Sequence, residues 1–230
     1  MEYDKEAILA ETDELIIYLK SILPQSVDPL ALGAHSKIHL KAQVFGELSL
    51  YRITDLADSA YLLYQKEKII PALLITRAVL ETLAIFAYLH KSIEDIIKVS
   101  EITIEFIANL DKLILGRRFE ISENDPLRAI NIMTFIKKLE KDFNGLFKDY
   151  EFLCDFCHPS NFGMFNGYSK FNNEQILTEL SLVHLVGKHP HQFGLNMLKC
   201  YLELFIGLYN ESAEMLMKLA KLTEEYYKNN

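Results

Sequence analysis

Cys154, Cys157 and His158 stand together in the run Cys154-Asp-Phe-Cys157-His158, and their types alone could serve three kinds of chemistry. As C-x-x-C-H the run has the form of a c-type haem attachment site, and as a cysteine pair it has the spacing of a dithiol redox centre. With His184, His189 or His191 it also holds enough ligand types for zinc. Each reading lacks its context. Haem attachment belongs outside the cytosol, and the N-terminal run MEYDKEAILAETDE is acidic, without the charged-then-apolar pattern of an export signal. A redox pair belongs at a strand-to-helix junction, whereas this run ends a predicted helix. No second Cys or His pair has finger or ribbon spacing, and adjacent Cys157 and His158 do not face each other along a helix. Glycine-rich phosphate loops, G-x-S-x-G and H-E-x-x-H are missing as well. The expectation is free thiols in a reducing compartment, no metal and no cofactor.

A second constellation is built from charges on an apolar background. Ile69 to Leu89 reads IIPALLITRAVLETLAIFAYL, apolar nearly all round, as a helix buried on every side should be. Arg77 and Glu81 interrupt it one turn apart, on one face. Such a pair is costly unless other elements bring it polar company. On a helix predicted over Leu146 to Cys157, the positions Tyr150, Cys154 and His158 recur at i, i+4 and i+8, and we read them as one face. His158 precedes Pro159, which disfavours further helix and fixes the imidazole at the helix end. If that face meets the central helix, Arg77, Glu81, Tyr150 and His158 line one site. Phe162, Phe165 and Tyr168 in the following irregular segment would cover it and touch a ligand. The bland alternative is a buried hydrogen-bond network that fixes helix register.

The elements that must position these residues are helical. Apolar residues recur at helical spacing over about residues 4–23, 37–68 and 93–114. Ser92 is placed as a cap between the central helix and the next, and Gly116 as a left-handed stop. Asp125-Pro126 reads as a helix start, with Ile130, Met133, Ile136, Leu139 and Phe143 as its buried stripe. Asn166-Gly167 could turn a small hairpin within 158–173. Asn173 is placed as the cap of a helix to about Gly187, and His189-Pro190 opens a last helix to about Tyr227. Arg52, Asp55 and Asp58 share a polar side and are expected to pair locally. The fold expected is all-α, a single domain over 1–230: a bundle of about eight helices around the 69–89 helix, with an irregular or hairpin insert at 158–173.

The bulk numbers agree. Of the 230 residues 50% are hydrophobic, so a large core can form. Asp and Glu (32) outnumber Lys and Arg (24), giving −8, which argues against general polyanion binding. The 69–89 stretch is long enough to cross a bilayer. Its apolar residues would gain about 5 kcal/mol there and its two central charges would cost about as much. A buried core helix is therefore expected, not a membrane span.

Arg77-Ala-Val-Leu-Glu81, then Tyr150-Glu-Phe-Leu153 and His158-Pro159, resemble the R-A-x-L-E and Y-x-x-L-x-x-x-x-H-P elements of a group of uncharacterised bacterial helical proteins. That group is distantly similar to the HEPN helical domains of toxin–antitoxin and anti-phage systems. The resemblance covers about residues 65–165. It implies a cytoplasmic, dimeric protein and, for the enzymes among those domains, metal-independent cleavage of RNA by an Arg and a His of an R-x4-6-H motif. This sequence has no Arg at that spacing before any histidine, so Arg77 would serve only through the fold. The leading expectation is a cytoplasmic binding or interaction module in stress or defence, forming a homodimer through apolar helix faces of the N- and C-terminal helices. It would take a small ligand or a protein partner, with no membrane. The alternative is a ribonuclease, with RNA as partner. In it His158 moves a proton, Arg77 stabilises phosphate charge, and Tyr150 and Glu81 orient them.

Overall fold

The computed structural model describes residues 4–28, 36–117, 119, 122, 125–182 and 188–229. The chain opens with α1 (Lys5–Ser21), capped by Asp4, whose carboxylate accepts from the Ala7 N–H. The next helix, α2 (Lys37–Gln65), is capped by Ser36. Most of the connector between them lies outside the described residues.

The central helix, α3, runs from Ile69 to Val99. The sequence places a cap at Ser92. Instead the helix passes through it, and the Ser92 hydroxyl donates back to the Tyr88 carbonyl. A serine with helix formers on both sides and no Gly or Pro nearby has this alternative to capping. The chain breaks only at Ser100, which adopts φ 54°. Thr103 then caps α4 (Ile104–Leu115). Gly116 is extended, with φ −63° and ψ 130°, and not left-handed as expected. Its reason is space, because a Cβ there would lie 2.1 Å from the Lys112 carbonyl oxygen.

Asp125-Pro126 does not start a helix. The Asp125 carboxylate accepts from the Leu127 N–H and closes a turn, and α5 (Ile132–Asp142) begins later, capped by Asn131. Next comes α6 (Leu146–Cys157), then one π-helical turn at Asn161–Phe165 and the short helix α7 (Asn166–Tyr168). Asn166-Gly167 is thus helical. Gly167 lies so close to α3 that a Cβ would meet Ile70 Cδ1 at 2.2 Å. The hairpin sits one step further on, as β1 (Ser169–Asn172) and antiparallel β2 (Leu177–Leu180), with Lys170 opposite Glu179 and Phe171 opposite Thr178. Strand therefore replaces the expected helix over 177–180, and residues 183–187 lie outside the described set. Leu177 and Leu180, three apart, suit a helical turn and lie on opposite faces of a strand, so spacing alone favours the helix. The Asn172 side chain decides otherwise by accepting from the N–H groups of Glu174 and Gln175, which fixes a turn. The last helix, α8, spans Lys188–Asn229.

The architecture is an all-α bundle of eight helices plus one two-stranded sheet among the described residues. Helix α3 packs against α2, α8, α5 and α6. Leu50, Ile53, Leu73, Leu80, Leu83, Phe86, Leu202 and Phe205 close the main core between them. A second core, with Ile93, Phe106, Leu110 and Leu219, fills the far end under α4. By length and composition α3 could cross a membrane, yet its most apolar window is 61% buried inside the bundle, as a core helix is. The apolar stripes of α1 (Leu9, Ile16, Leu19) and α8 (Leu195, Leu198, Leu202, Phe205) are also consumed inside the fold.

Candidate functional site

Three of the four residues singled out for chemistry meet where α6 crosses α3. Helix α6 is held for that crossing at two points. At its start the Glu140 carboxylate of α5 accepts from the N–H groups of Gly145 (3.0 Å) and Phe147 (2.7 Å), and Gly145 enters the helix at φ 105°. These backbone bonds hold the Glu140 carboxyl below its ordinary pKa. On its other side the Tyr201 hydroxyl of α8 donates to Asp149 at 3.1 Å.

The Arg77 Nη2 donates to the Tyr150 hydroxyl at 2.9 Å, and that hydroxyl donates to Glu81 Oε1 at 3.3 Å. The Arg77 Nε lies 3.0 Å from the same Glu81 oxygen, but its N–H is out of line, so this contact is charge attraction without a hydrogen bond. The guanidinium also sits 5.0 Å from the Tyr150 ring centroid. Arg77 and Glu81 keep 24% and 30% of their side-chain surface, so the network opens to solvent along one edge.

The last member of the α6 face differs from expectation, with Cys157 beside Cys154 where the sequence spacing places His158. Cys154 and Cys157 are half-buried there, and the Cys157 thiol helps to hold the charge on Arg77. His158 is exposed, and among the described residues no hydrogen bond or ion pair joins its ring to Arg77, Glu81 or Tyr150. The geometry of a helix explains the exchange. Seven residues return to within about 20° of the starting direction, and eight swing about 80° past it. His158 also leaves the helix at φ −89°, ψ 149°. Spacing alone could have found Cys157, had i+7 been preferred to i+8.

The electrostatics hold the charge on Arg77. Burial alone would lower the Arg77 pKa. The Cys157 thiol, the hydrogen bond to Tyr150 and the Glu81 charge outweigh burial and raise it, so the guanidinium stays cationic. Burial raises the Tyr150 phenol and the Cys154 thiol, each partly offset by Arg77. A thiol pushed upward is a poor nucleophile at neutral pH. The cluster joins α3 to α6 through one shared hydroxyl, that of Tyr150.

Phe162, Phe165 and Tyr168 separate from one another. The Phe162 ring packs 5.7 Å from Phe156, extending a row through Phe152 to Phe193 of α8. Phe165 and Tyr168 line a cleft of about 420 Å³ with Met164, Thr178 and Leu180, on the hairpin side of the segment. Neither Arg77, Glu81 nor Tyr150 lines that cleft. The aromatic segment is therefore not a cover on the Arg77 cluster but a surface of its own.

Of the proposed metal ligands, His189 is exposed, His191 is buried with Nε2 3.3 Å from the Tyr64 carbonyl, and His184 lies outside the described residues. Among the described residues no three His, Cys, Asp or Glu side chains converge as a metal site requires. No protein-family model matches the chain, and neither a curated protein nor a solved structure matches it.

Proposed function

We propose that this protein is a cytoplasmic helical binding module whose contact surface is the hairpin face, and that its first partner is a second copy of itself. One observation carries the reading: exposed apolar side chains stand singly on α1 (Ile17) and α8 (Phe193, Met217) but crowd together on residues 162–182. Phe162, Met164, Phe165, Phe171, Ile176, Leu177, Leu180 and Leu182 are all exposed there, and clustered apolar exposure of this kind marks interaction surfaces. Strand β2 is exposed at every position, and β1 is its only described neighbour. Its free edge offers unpaired N–H and C=O groups, the standard template for adding a strand. Antiparallel pairing of β2 with its copy about Thr178 sets threonine against threonine. It also brings Ile176 opposite Leu180 and keeps the two Glu179 carboxylates apart.

The ribonuclease alternative draws on the resemblance alone. It needs a histidine beside Arg77 and an arginine free to meet phosphate. Here Arg77 is engaged by Glu81 and Tyr150, and His158 faces water. A role in stress or defence likewise rests on the resemblance.

Light scattering during gel filtration, at high micromolar concentration, tests the proposal. We expect twice the chain mass of 26.6 kDa for the natural sequence. Leu177→Lys with Leu180→Lys should give the single mass with unchanged helicity. A natural chain that stays at the single mass overturns the dimer, and RNA cleavage lost in Arg77→Lys would favour the alternative.

A further inference from the structure

We infer that the cleft between α2, α3, α4 and α5, bordered by Gly116, Ala129 and Ile130, is a binding site for a small amphipathic carboxylate, a medium-chain acyl anion. The inference is independent of the hairpin face. The cleft holds about 320 Å³, at the small end of the range for ligand sites. Its described walls are largely apolar, with Phe45, Leu48, Ile85, Ile114, Ile130 and Phe135 contributing. The charged residues among them are Arg52 and Lys112, both cationic, in a chain whose balance is −8.

Neither cation is spent elsewhere. The sequence suggests that Arg52 pairs with Asp55 and Asp58. In the structure Asp58 binds Lys20 at 2.7 Å, and Arg52 makes no ion pair among the described residues. Its Nε instead donates to the buried Thr82 hydroxyl at 3.1 Å, and Thr82 lines the cleft too. That bond fixes the plane of the guanidinium while leaving both terminal NH2 groups free, the fork that grips a carboxylate through two parallel bonds. Lys112 likewise has no carboxylate partner among the described residues, whereas Lys41, on the facing helix, is paired to Asp111. An apolar lining that includes two cations without carboxylate partners among the described residues fits an anionic head on a short hydrocarbon tail. A full phospholipid exceeds the volume, and a bare anion leaves the floor wet.

Isothermal titration of the full chain with hexanoate, octanoate and decanoate, each below its micelle concentration, tests this. We expect one site per chain and affinity rising roughly fourfold per methylene. Inorganic phosphate, 1-octanol and octylamine should bind at least about tenfold more weakly than octanoate. The variant Arg52→Gln with Lys112→Gln should lose about tenfold or more for octanoate. Its thermal midpoint should stay within a few degrees, since Arg52 is exposed. Lys138→Gln, outside the cleft, should change nothing. The inference is overturned by any of three results: no saturable binding of decanoate, equal affinity for octanol and octanoate, or a variant that binds as the natural chain does. Phosphate bound as tightly as octanoate would mean a plain anion site and overturns the acyl assignment.

Discussion

Tyr150 is the residue on which the α3–α6 junction turns, because its hydroxyl accepts from Arg77 and donates to Glu81 at once. Tyr150→Phe should cost about 1–2 kcal/mol, since it leaves two part-buried polar groups short of a partner. Arg77→Ala should cost about 2–3 kcal/mol, less than for a sealed ion pair because both charges keep some water contact. Arg77→Met with Glu81→Leu should cost less than Arg77→Ala alone, because no charge is stranded. His158→Ala should fall within about 0.5 kcal/mol of the natural chain, as for other exposed positions. Urea unfolding of the set reads all four. Additive costs for Arg77→Ala and Tyr150→Phe would show that the two are not coupled. The sequence exposed this cluster through energetics: two charges on an apolar helix need company. It misassigned the fourth member because an exposed His and a half-buried Cys are neighbours in the chain and differ only in angle.

At the scale of elements, helices with unbroken apolar stripes were legible and their junctions were not. Helices α1, α2 and α6 fall within a few residues of expectation, since a stripe of buried residues sets each of them. Ser92, Asp125-Pro126 and Asn173 were misread for one reason. A short polar side chain can cap a helix, close a turn or bond back to its own helix, and tertiary packing chooses. The hairpin turn carries a strain of its own. Ile176 is β-branched, holds φ 49°, and is 83% exposed. That conformation costs such a residue about 1–2 kcal/mol and gains nothing inside the monomer. Ile176→Gly should therefore raise the unfolding free energy of the isolated chain by about 0.5–1 kcal/mol while weakening self-association. Unfolding curves and light scattering on one preparation would check both. A variant that is stabilised and still dimerises equally well would remove Ile176 from the contact.

For the whole molecule, buried histidines and net charge set the response to solvent. Burial lowers the pKa of His39, His90 and His191 below 6.5. A group whose folded pKa is depressed contributes stability that is complete above its unfolded value. That contribution drains away as pH falls through 6.5 toward the folded value. Asp149, raised above 3.8 by burial, has the opposite slope and acts only lower on the scale. Unfolding free energy should accordingly fall between pH 7 and pH 5, and His39→Gln should flatten that fall; a flat natural profile would contradict it. Each copy carries −8, so copies repel, and added salt should tighten the proposed dimer. Binding to RNA would weaken with salt instead. Hydrogen exchange at the backbone amides of β2, followed as protein concentration is raised, addresses the interface itself. We expect the amides of residues 177–180 facing away from β1 to slow markedly between low and high micromolar protein, with α1 and α8 unchanged. Concentration-independent exchange at those amides, with slowing elsewhere or nowhere, would contradict the account.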